Sequence, residues 1–156
     1  MQKIAIIGAK GLLGQELVNY LNLKAGVEVA ALGHKEIEIT NPESIEKALK
    51  KINPNVLINC AVILDVDFCE ANPEKCYAVN RDGVKNLINF LDKKTIFIQI
   101  SSSEVFGRSE GFKIEGYSED EEPKPESVYQ KSKTQAEEIV KKYRGKWFIA
   151  RAGWLF

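Results

Sequence analysis

"KIAIIGAKGLLGQEL", residues 3–17, opens the chain with an aliphatic run followed by three glycines spaced three apart. The apolar run reads as a buried strand, and residues 11–21 carry the period of a helix. Gly8, Gly11 and Gly14 therefore fall on a strand-to-helix turn. Gly8 permits the sharp turn, Gly11 lets the backbone approach a pyrophosphate, and Gly14 lets helix and strand pack closely. The helix then aims free N–H groups and the positive end of its dipole at that phosphate. A glycine trio is a weak signal alone, since any tight turn uses glycine, but its place between a clear strand and a clear helix points to a bound dinucleotide.

Working outward, short β-branched runs ("VEVAAL", "VLINCA", "TIFIQIS", "KWFIAR") alternate with helical segments ("PESIEKALKKI", "PEKCYAVNRDGVKNLINFL", "SVYQKSKTQAEEIVKKY"). A β-α-β-α rhythm with strands apolar throughout, such as residues 4–7 and 96–100, needs cover on both sheet faces. The fold class expected is α/β: a doubly wound parallel sheet with helices on both faces, a Rossmann-type NAD(P)-binding domain. Asn41-Pro42 and Asn72-Pro73 are expected to open the second and third helices, and Gly145 to stop the last. Periodicity vanishes over residues 107–127, rich in glycine, proline and acid, which reads as one long loop.

The 156 residues, 44% hydrophobic and 28% charged, suit a single packed domain. Lysine plus arginine and aspartate plus glutamate both number 22, so no net field favours nucleic acid or a membrane surface. The longest apolar stretch, "VLINCAVIL", is too short to span a bilayer, and the N-terminus lacks the layout of a signal peptide, so a cytosolic (cytoplasmic) location is expected. Cys60, Cys69 and Cys76 have no metal-knuckle spacing and make an odd set, so reduced, mostly buried thiols and no metal site are expected.

The second strand ends at Gly33, His34 and Lys35, with the nearest acids, Glu36 and Glu38, coming later. A carboxylate at this place would hold the 2′-hydroxyl of NAD, whereas His34 and Lys35 can pair with the 2′-phosphate of NADP. NADP(H) is thus the preferred cofactor and NAD(H) the alternative; an ordinary solvated turn would carry the same His-Lys pair.

Tyr129 and Lys133 stand four apart on the last helix and so share a face. A nearby ammonium favours the phenolate and eases proton exchange, and the lysine can also hold a ribose. This spacing is common by chance. It gains weight from "IFIQISSSEVFG", a buried strand whose carboxyl end carries Ser101, Ser102 and Ser103, where ligands of open α/β sheets bind.

The set "GAKGLLG", "NCAVILDVDFCEANPEKCYAVN", "ISSSEVFG", "YSEDEEPKPESVYQKSK" and "ARAGWLF" resembles the extended short-chain dehydrogenases/reductases, most closely the dTDP-4-dehydrorhamnose reductases, across nearly the whole chain. The resemblance implies that Tyr129 is the proton donor, Lys133 its pKa modifier and ribose anchor, and Ser102 the hydroxyl partner, where the reductases have threonine. It further implies that Lys10, Gly11, Leu12 and Leu13 cradle the pyrophosphate, that Glu38 and Ile39 flank the adenine, and that Cys60, Ala61 and Val62 line the nicotinamide. Ser102, Ser103, Glu104 and Trp154 would face the sugar. The implied reaction is hydride transfer from NADPH or NADH to the C4 ketone of a nucleotide-linked 6-deoxyhexose, giving dTDP-L-rhamnose. Three departures stand out: Leu64 replaces a threonine near the sugar, Glu104 a tyrosine, and Gln130 a glycine, the last read as minor.

Members of that family run to nearly twice this length, so residues 1–156 are expected to be the dinucleotide-binding part, with the sugar-binding second half absent. The chain is then an N-terminal portion or a short form with another role. Apolar surface at "AGWLF" is expected to favour association, such as a homodimer, or marginal stability. Two other readings stay open. Glu104 within "SSSEVFG" fits a nucleotide-sugar epimerase or dehydratase that keeps NAD bound. The lost tyrosine fits a cofactor-binding regulatory subunit like the β subunit of methionine adenosyltransferase.

Overall fold

The computed structural model describes residues 1–107, 113 and 115–153. Strands β1 (Gln2–Ile7), β2 (Val27–Leu32), β3 (Val56–Asn59), β4 (Ile96–Ser102) and β5 (Trp147–Ala152) pair in parallel in the order β2-β1-β3-β4-β5. Helices α1 (Leu12–Asn22), α2 (Pro42–Ile52), α3 (Val66–Ala71), α4 (Pro73–Tyr77), α5 (Gly83–Phe90) and α6 (Val128–Val140) connect them. The α/β class read from the sequence is the one observed. From β1 the chain crosses to β2 on one side and returns to β3 on the other, so the strand order reverses between β1 and β3. In open α/β sheets a crevice forms outside the carboxyl ends at such a point.

The two sheet faces are covered unequally. Ala5, Ile7, Leu57 and Phe97 pack under Ile45, Ala48 and Leu49 of α2, Val84 and Leu87 of α5, and Ala136 and Val140 of α6. On the opposite face Ile4, Ile6, Val56 and Ile58 meet Leu17, Val18 and Leu21 of α1. Beyond α1, Ile96, Ile98 and Ile100 are only partly buried, and Phe148, the register partner of Ile98, is 48% exposed. Cover on both faces, expected for residues 96–100, is complete on one face only.

Local signals set the helix starts. The Asn41 side chain accepts from the N–H groups of Glu43 (2.9 Å) and Ser44 (3.3 Å), and Pro42 follows at the first helical position. Such a cap is worth about 1 kcal/mol. At Asn72 the expectation is met only in part: α4 starts at Pro73, but the Asn72 amide donates backward to the Phe68 carbonyl (3.1 Å), and a separate short helix, α3, precedes it under an Asp65 cap. A π-helical turn, Ala78–Asp82, joins α4 to α5 and turns Asn80 into the core. Gly145 does not stop α6, which ends at Val140; a Cβ there would lie 2.5 Å from the Lys93 carbonyl and 2.7 Å from the Tyr143 ring, so close packing explains this glycine.

No helix or strand is found among the described residues between Gly107 and Ser127, in line with a long loop. It is nonetheless anchored. Lys124 N–H donates to the Val105 carbonyl (2.9 Å), and Tyr117 stacks on Phe106 with ring centroids 4.4 Å apart. Among the described residues no helix is long and apolar enough to cross a membrane.

Candidate functional site

Parallel register gathers the ends of β1, β2, β3 and β4 at one edge, and a cleft of about 1170 Å³ opens there. Every site residue named from the sequence within the described part lines it: Gly8, Lys10, Gly11, Leu12, Leu13, Gly14, His34, Lys35, Glu38, Ile39, Cys60, Ala61, Val62, Ser102, Ser103, Glu104, Tyr129 and Lys133. Trp154 lies outside the described residues.

The glycine turn is a backbone cradle. Gly8 has φ +74°, and a Cβ on it would sit 2.7 Å from the Ala61 amide nitrogen across the β1/β3 crevice. A Cβ on Gly14 would lie 2.2 Å from the Gly8 carbonyl oxygen, so only glycine lets α1 approach β1 this closely. Gly11 is the N-cap of α1 and supplies no side-chain cap, and the first turn carries no acid. The helix therefore presents uncapped N–H groups and positive dipole to the cleft, a ready seat for phosphate. These residues fit a dinucleotide.

At the end of β2 the nearest acids are engaged. Glu36 accepts the Gly33 N–H (2.9 Å), and Glu38 accepts from the Thr40 N–H (3.1 Å) and hydroxyl (2.9 Å) with His34 Nδ1 3.5 Å away. The Thr40 backbone bond is the main reason the Glu38 carboxyl titrates below its usual range. The Lys10 stem passes over Gly33, 3.1 Å from where a Cβ would stand, beside the exposed His34 and Lys35.

The opposite wall is built by α6 and β4. Ser127 caps α6 by accepting the Gln130 N–H (3.2 Å), and the Gln130 side chain accepts in return from the Ser127 (3.1 Å) and Glu126 (2.7 Å) amides. Glu70 of α3 accepts the Val128 N–H (2.6 Å), and Gln130 Nε2 donates to Glu104 (3.4 Å). Gln130, a minor departure by its sequence, has a structural role: it closes the capping box beside Tyr129 and reaches a second departing residue, Glu104.

Tyr129 and Lys133 are both buried within the cleft wall. Burial raises the Tyr129 phenol, the Ser102 hydroxyl pulls it down, and the nearby Glu104 carboxylate raises it further. Lys133 Nζ donates to the Ile100 carbonyl (2.7 Å); burial lowers it to about 8, opposed by the Glu137 carboxylate. In this arrangement burial is the largest influence on the phenol, and it acts upward. Cys60 is half-buried, its thiol raised to about 11 by burial, so it is an inert wall rather than a nucleophile.

Several structural members of the site carried no assigned role in the sequence. Asn80 clamps the wall after β3, accepting the Ile63 N–H (2.8 Å) and donating to the Ile63 carbonyl (3.0 Å) and Ser132 hydroxyl (3.1 Å). Glu137, buried on α6, accepts from the Ser101 hydroxyl and from Arg151. A polar residue on an otherwise buried helix face was the available signal for Glu137; Asn80 needed the π turn to reach its place.

A protein-family model described as "RmlD substrate binding domain" matches residues 1–156. A dTDP-4-dehydrorhamnose reductase of Aggregatibacter actinomycetemcomitans is 32% identical over the whole chain, which covers 52% of that protein. Among solved structures, the Bacillus anthracis dTDP-4-dehydrorhamnose reductase in complex with NADP superposes with a TM-score of 0.92 at 30% identity, covering 100% of this chain and 55% of that one. The Clostridium acetobutylicum dTDP-4-dehydrorhamnose reductase gives 0.91 at 35% identity, covering 99% of this chain and 54% of that one. The chain spans about half the length of the curated relatives it matches.

Proposed function

Since the chain belongs to the RmlD substrate-binding-domain family, we propose that it is the dinucleotide-binding part of an NADP(H)-dependent reductase acting on the 4-keto group of a nucleotide-linked 6-deoxysugar, as in dTDP-L-rhamnose formation. The observation that carries this reading is that Ser102, Tyr129 and Lys133 face the glycine turn across one cleft. The relatives named dTDP-4-dehydrorhamnose reductase support the substrate class.

NADPH held in this cleft supplies a hydride. The N–H groups at the start of α1 take its pyrophosphate, with Lys10, Leu12 and Leu13 around it; Lys35 and His34 take the 2′-phosphate, and Lys133 the ribose. Cys60, Ala61 and Val62 exclude water beside the reacting carbon. Tyr129 donates its phenolic proton to the ketone oxygen as that carbon is reduced, while Ser102 orients the same oxygen. A phenol whose pKa is raised by burial is protonated at neutral pH, as a donor must be. Ser103, Glu104 and Trp154 complete the sugar side. The same reading places the protein in the cytosol and pairs it as a homodimer, which sedimentation of the chain tests; a stable monomer removes the dimer.

Titrating NADPH and NADH against the purified chain tests the site, with tighter binding of NADPH expected and binding of neither overturning it. In the protein that carries out hydride transfer, Tyr129→Phe should lose about 10²–10⁴-fold in rate with cofactor affinity retained; undiminished turnover removes Tyr129 from the reaction. A second reading rests on Glu104, whose carboxylate lines the cleft close enough to act on the phenol. An epimerase or dehydratase would use such a group and would purify with tightly held NAD that shows no net turnover.

A further inference from the structure

The Arg151 and Glu137 pair lies behind the cleft wall, outside the set of groups that would touch cofactor or sugar. Glu137 is 1% exposed and sits one turn beyond Lys133 and two beyond Tyr129 on α6. Its carboxylate accepts from the Ser101 hydroxyl on β4 and takes the Arg151 guanidinium side-on, at 3.1 Å from Nε and 2.8 Å from Nη2. Arg151, on β5, also donates from Nη1 to the Glu119 carbonyl (3.0 Å) and lays its guanidinium over the Phe106 ring (4.9 Å), the ring on which Tyr117 stacks.

From this geometry we propose that Glu137 and Arg151 are positioning residues, which lock the helix bearing Tyr129 and Lys133 to the strand ends and tie the loop around Tyr117 and Glu119 to that same helix. The inference deepens the function proposed above and rests on it for its catalytic meaning. The pairing spans four pieces of chain, α6, β4, β5 and the loop, through one planar, bidentate contact. Arginine suits this place because its fork satisfies the carboxylate with two parallel bonds and keeps a further N–H for the loop, which a lysine cannot do. A buried carboxylate this close to the cleft would be costly without such a partner.

Glu137 also acts on the ammonium one turn away. Lys133 faces Glu137 on its own helix, Cys60 after β3, Cys76 of α4 and the Ile100 carbonyl of β4; burial lowers it, and among these groups the Glu137 carboxylate is the strongest influence raising it. Replacing that carboxylate by an amide removes the attraction and leaves the Arg151 charge uncompensated nearby. Both changes favour the neutral amine.

Two variants of the chain test the pairing without using the cofactor, so failure here is distinct from failure of NADPH to bind. Carbon-13 NMR of Cε-labelled lysine, with Lys133→Met for assignment, should show the Lys133 midpoint falling in Glu137→Gln relative to the wild-type chain. Hydrogen exchange should show the loop amides that are hydrogen-bonded, those of Ser118 (to Glu121) and Lys124 (to the Val105 carbonyl), exchanging roughly tenfold faster in Arg151→Lys, which keeps the charge and loses the fork, with α6 still protected. An unmoved midpoint in the first variant, or unmoved loop exchange in the second, overturns the proposal. If Glu137→Gln does not fold, the loop exchange in Arg151→Lys decides it by itself.

Discussion

The two walls of the cleft are made differently. The glycine turn between β1 and α1 is a backbone device: seven consecutive residues, 8–14, whose shape follows from a positive φ at Gly8 and from missing Cβ atoms where chain meets chain. The Tyr129 wall is a side-chain device. It needs α3 to supply Glu70, β4 to supply Ser102 and the Ile100 carbonyl, β5 to supply Arg151, and a π turn to aim Asn80. A backbone site is therefore sensitive to added atoms, whereas a side-chain site is sensitive to lost partners.

The largest effect should come from adding one carbon to the backbone wall. Gly8→Ala combines a left-handed φ with a Cβ 2.7 Å from the Ala61 nitrogen, and Gly14→Ala places a Cβ 2.2 Å from the Gly8 carbonyl. Each should cost roughly 3 kcal/mol in thermal or urea unfolding, and a loss below about 1 kcal/mol would mean that the turn relaxes and that the contrast is false.

The side-chain wall should reveal itself through pH. The folded pKa of Lys133 lies at about 8, below its ordinary 10.5, so the unfolded chain binds more protons between these values. Stability contributed by this group should accordingly rise as pH increases from 8 toward 10, and Lys133→Met should abolish the rise. The Tyr129 phenol, displaced upward, acts in the opposite sense only above about pH 10, where the unfolded chain ionises first. The Cys60 and Cys69 thiols, raised by burial, act in the opposite sense above about pH 9, so the measure is the wild-type pH slope set against that of Lys133→Met; equal slopes over pH 8–10 would contradict a lowered Lys133.

Smaller effects should separate the rims of the two walls. On the proposed reading, in which Lys35 meets the 2′-phosphate, Lys35→Ala should weaken NADPH by about tenfold and leave NADH unchanged. Equal loss for both cofactors would place Lys35 elsewhere in the site. Gln130→Ala opens the capping box of α6 and should cost about 1 kcal/mol in unfolding; no loss would return Gln130 to the minor role the sequence suggested.

The contrast also explains what could be read in advance. Gly8, Gly11 and Gly14 declare themselves because their constraint is local, written in neighbouring residues. Tyr129 and Lys133 were legible as a spacing, and their meaning came from strand-end serines some thirty residues earlier. Asn72-Pro73 does open a helix, although its amide bonds back to Phe68 instead of capping, and Gly145 misled because its duty is not local: it makes room for Tyr143 and Lys93. The open face beside Phe148 was invisible too, because an apolar strand does not say how much of it finds a partner.

The sequence by itself determined the alternation of strands and helices, the glycine turn after β1 and the spacing of Tyr129 and Lys133, since these depend on periodicity and on the presence or absence of a Cβ. Only the tertiary structure decided that Lys133 is sunk against the Ile100 carbonyl, that Glu137 and Arg151 brace its helix, and that burial pushes the Tyr129 phenol up. Those outcomes are set by burial and by charges brought together from distant segments, and both come into being only when the sheet has closed.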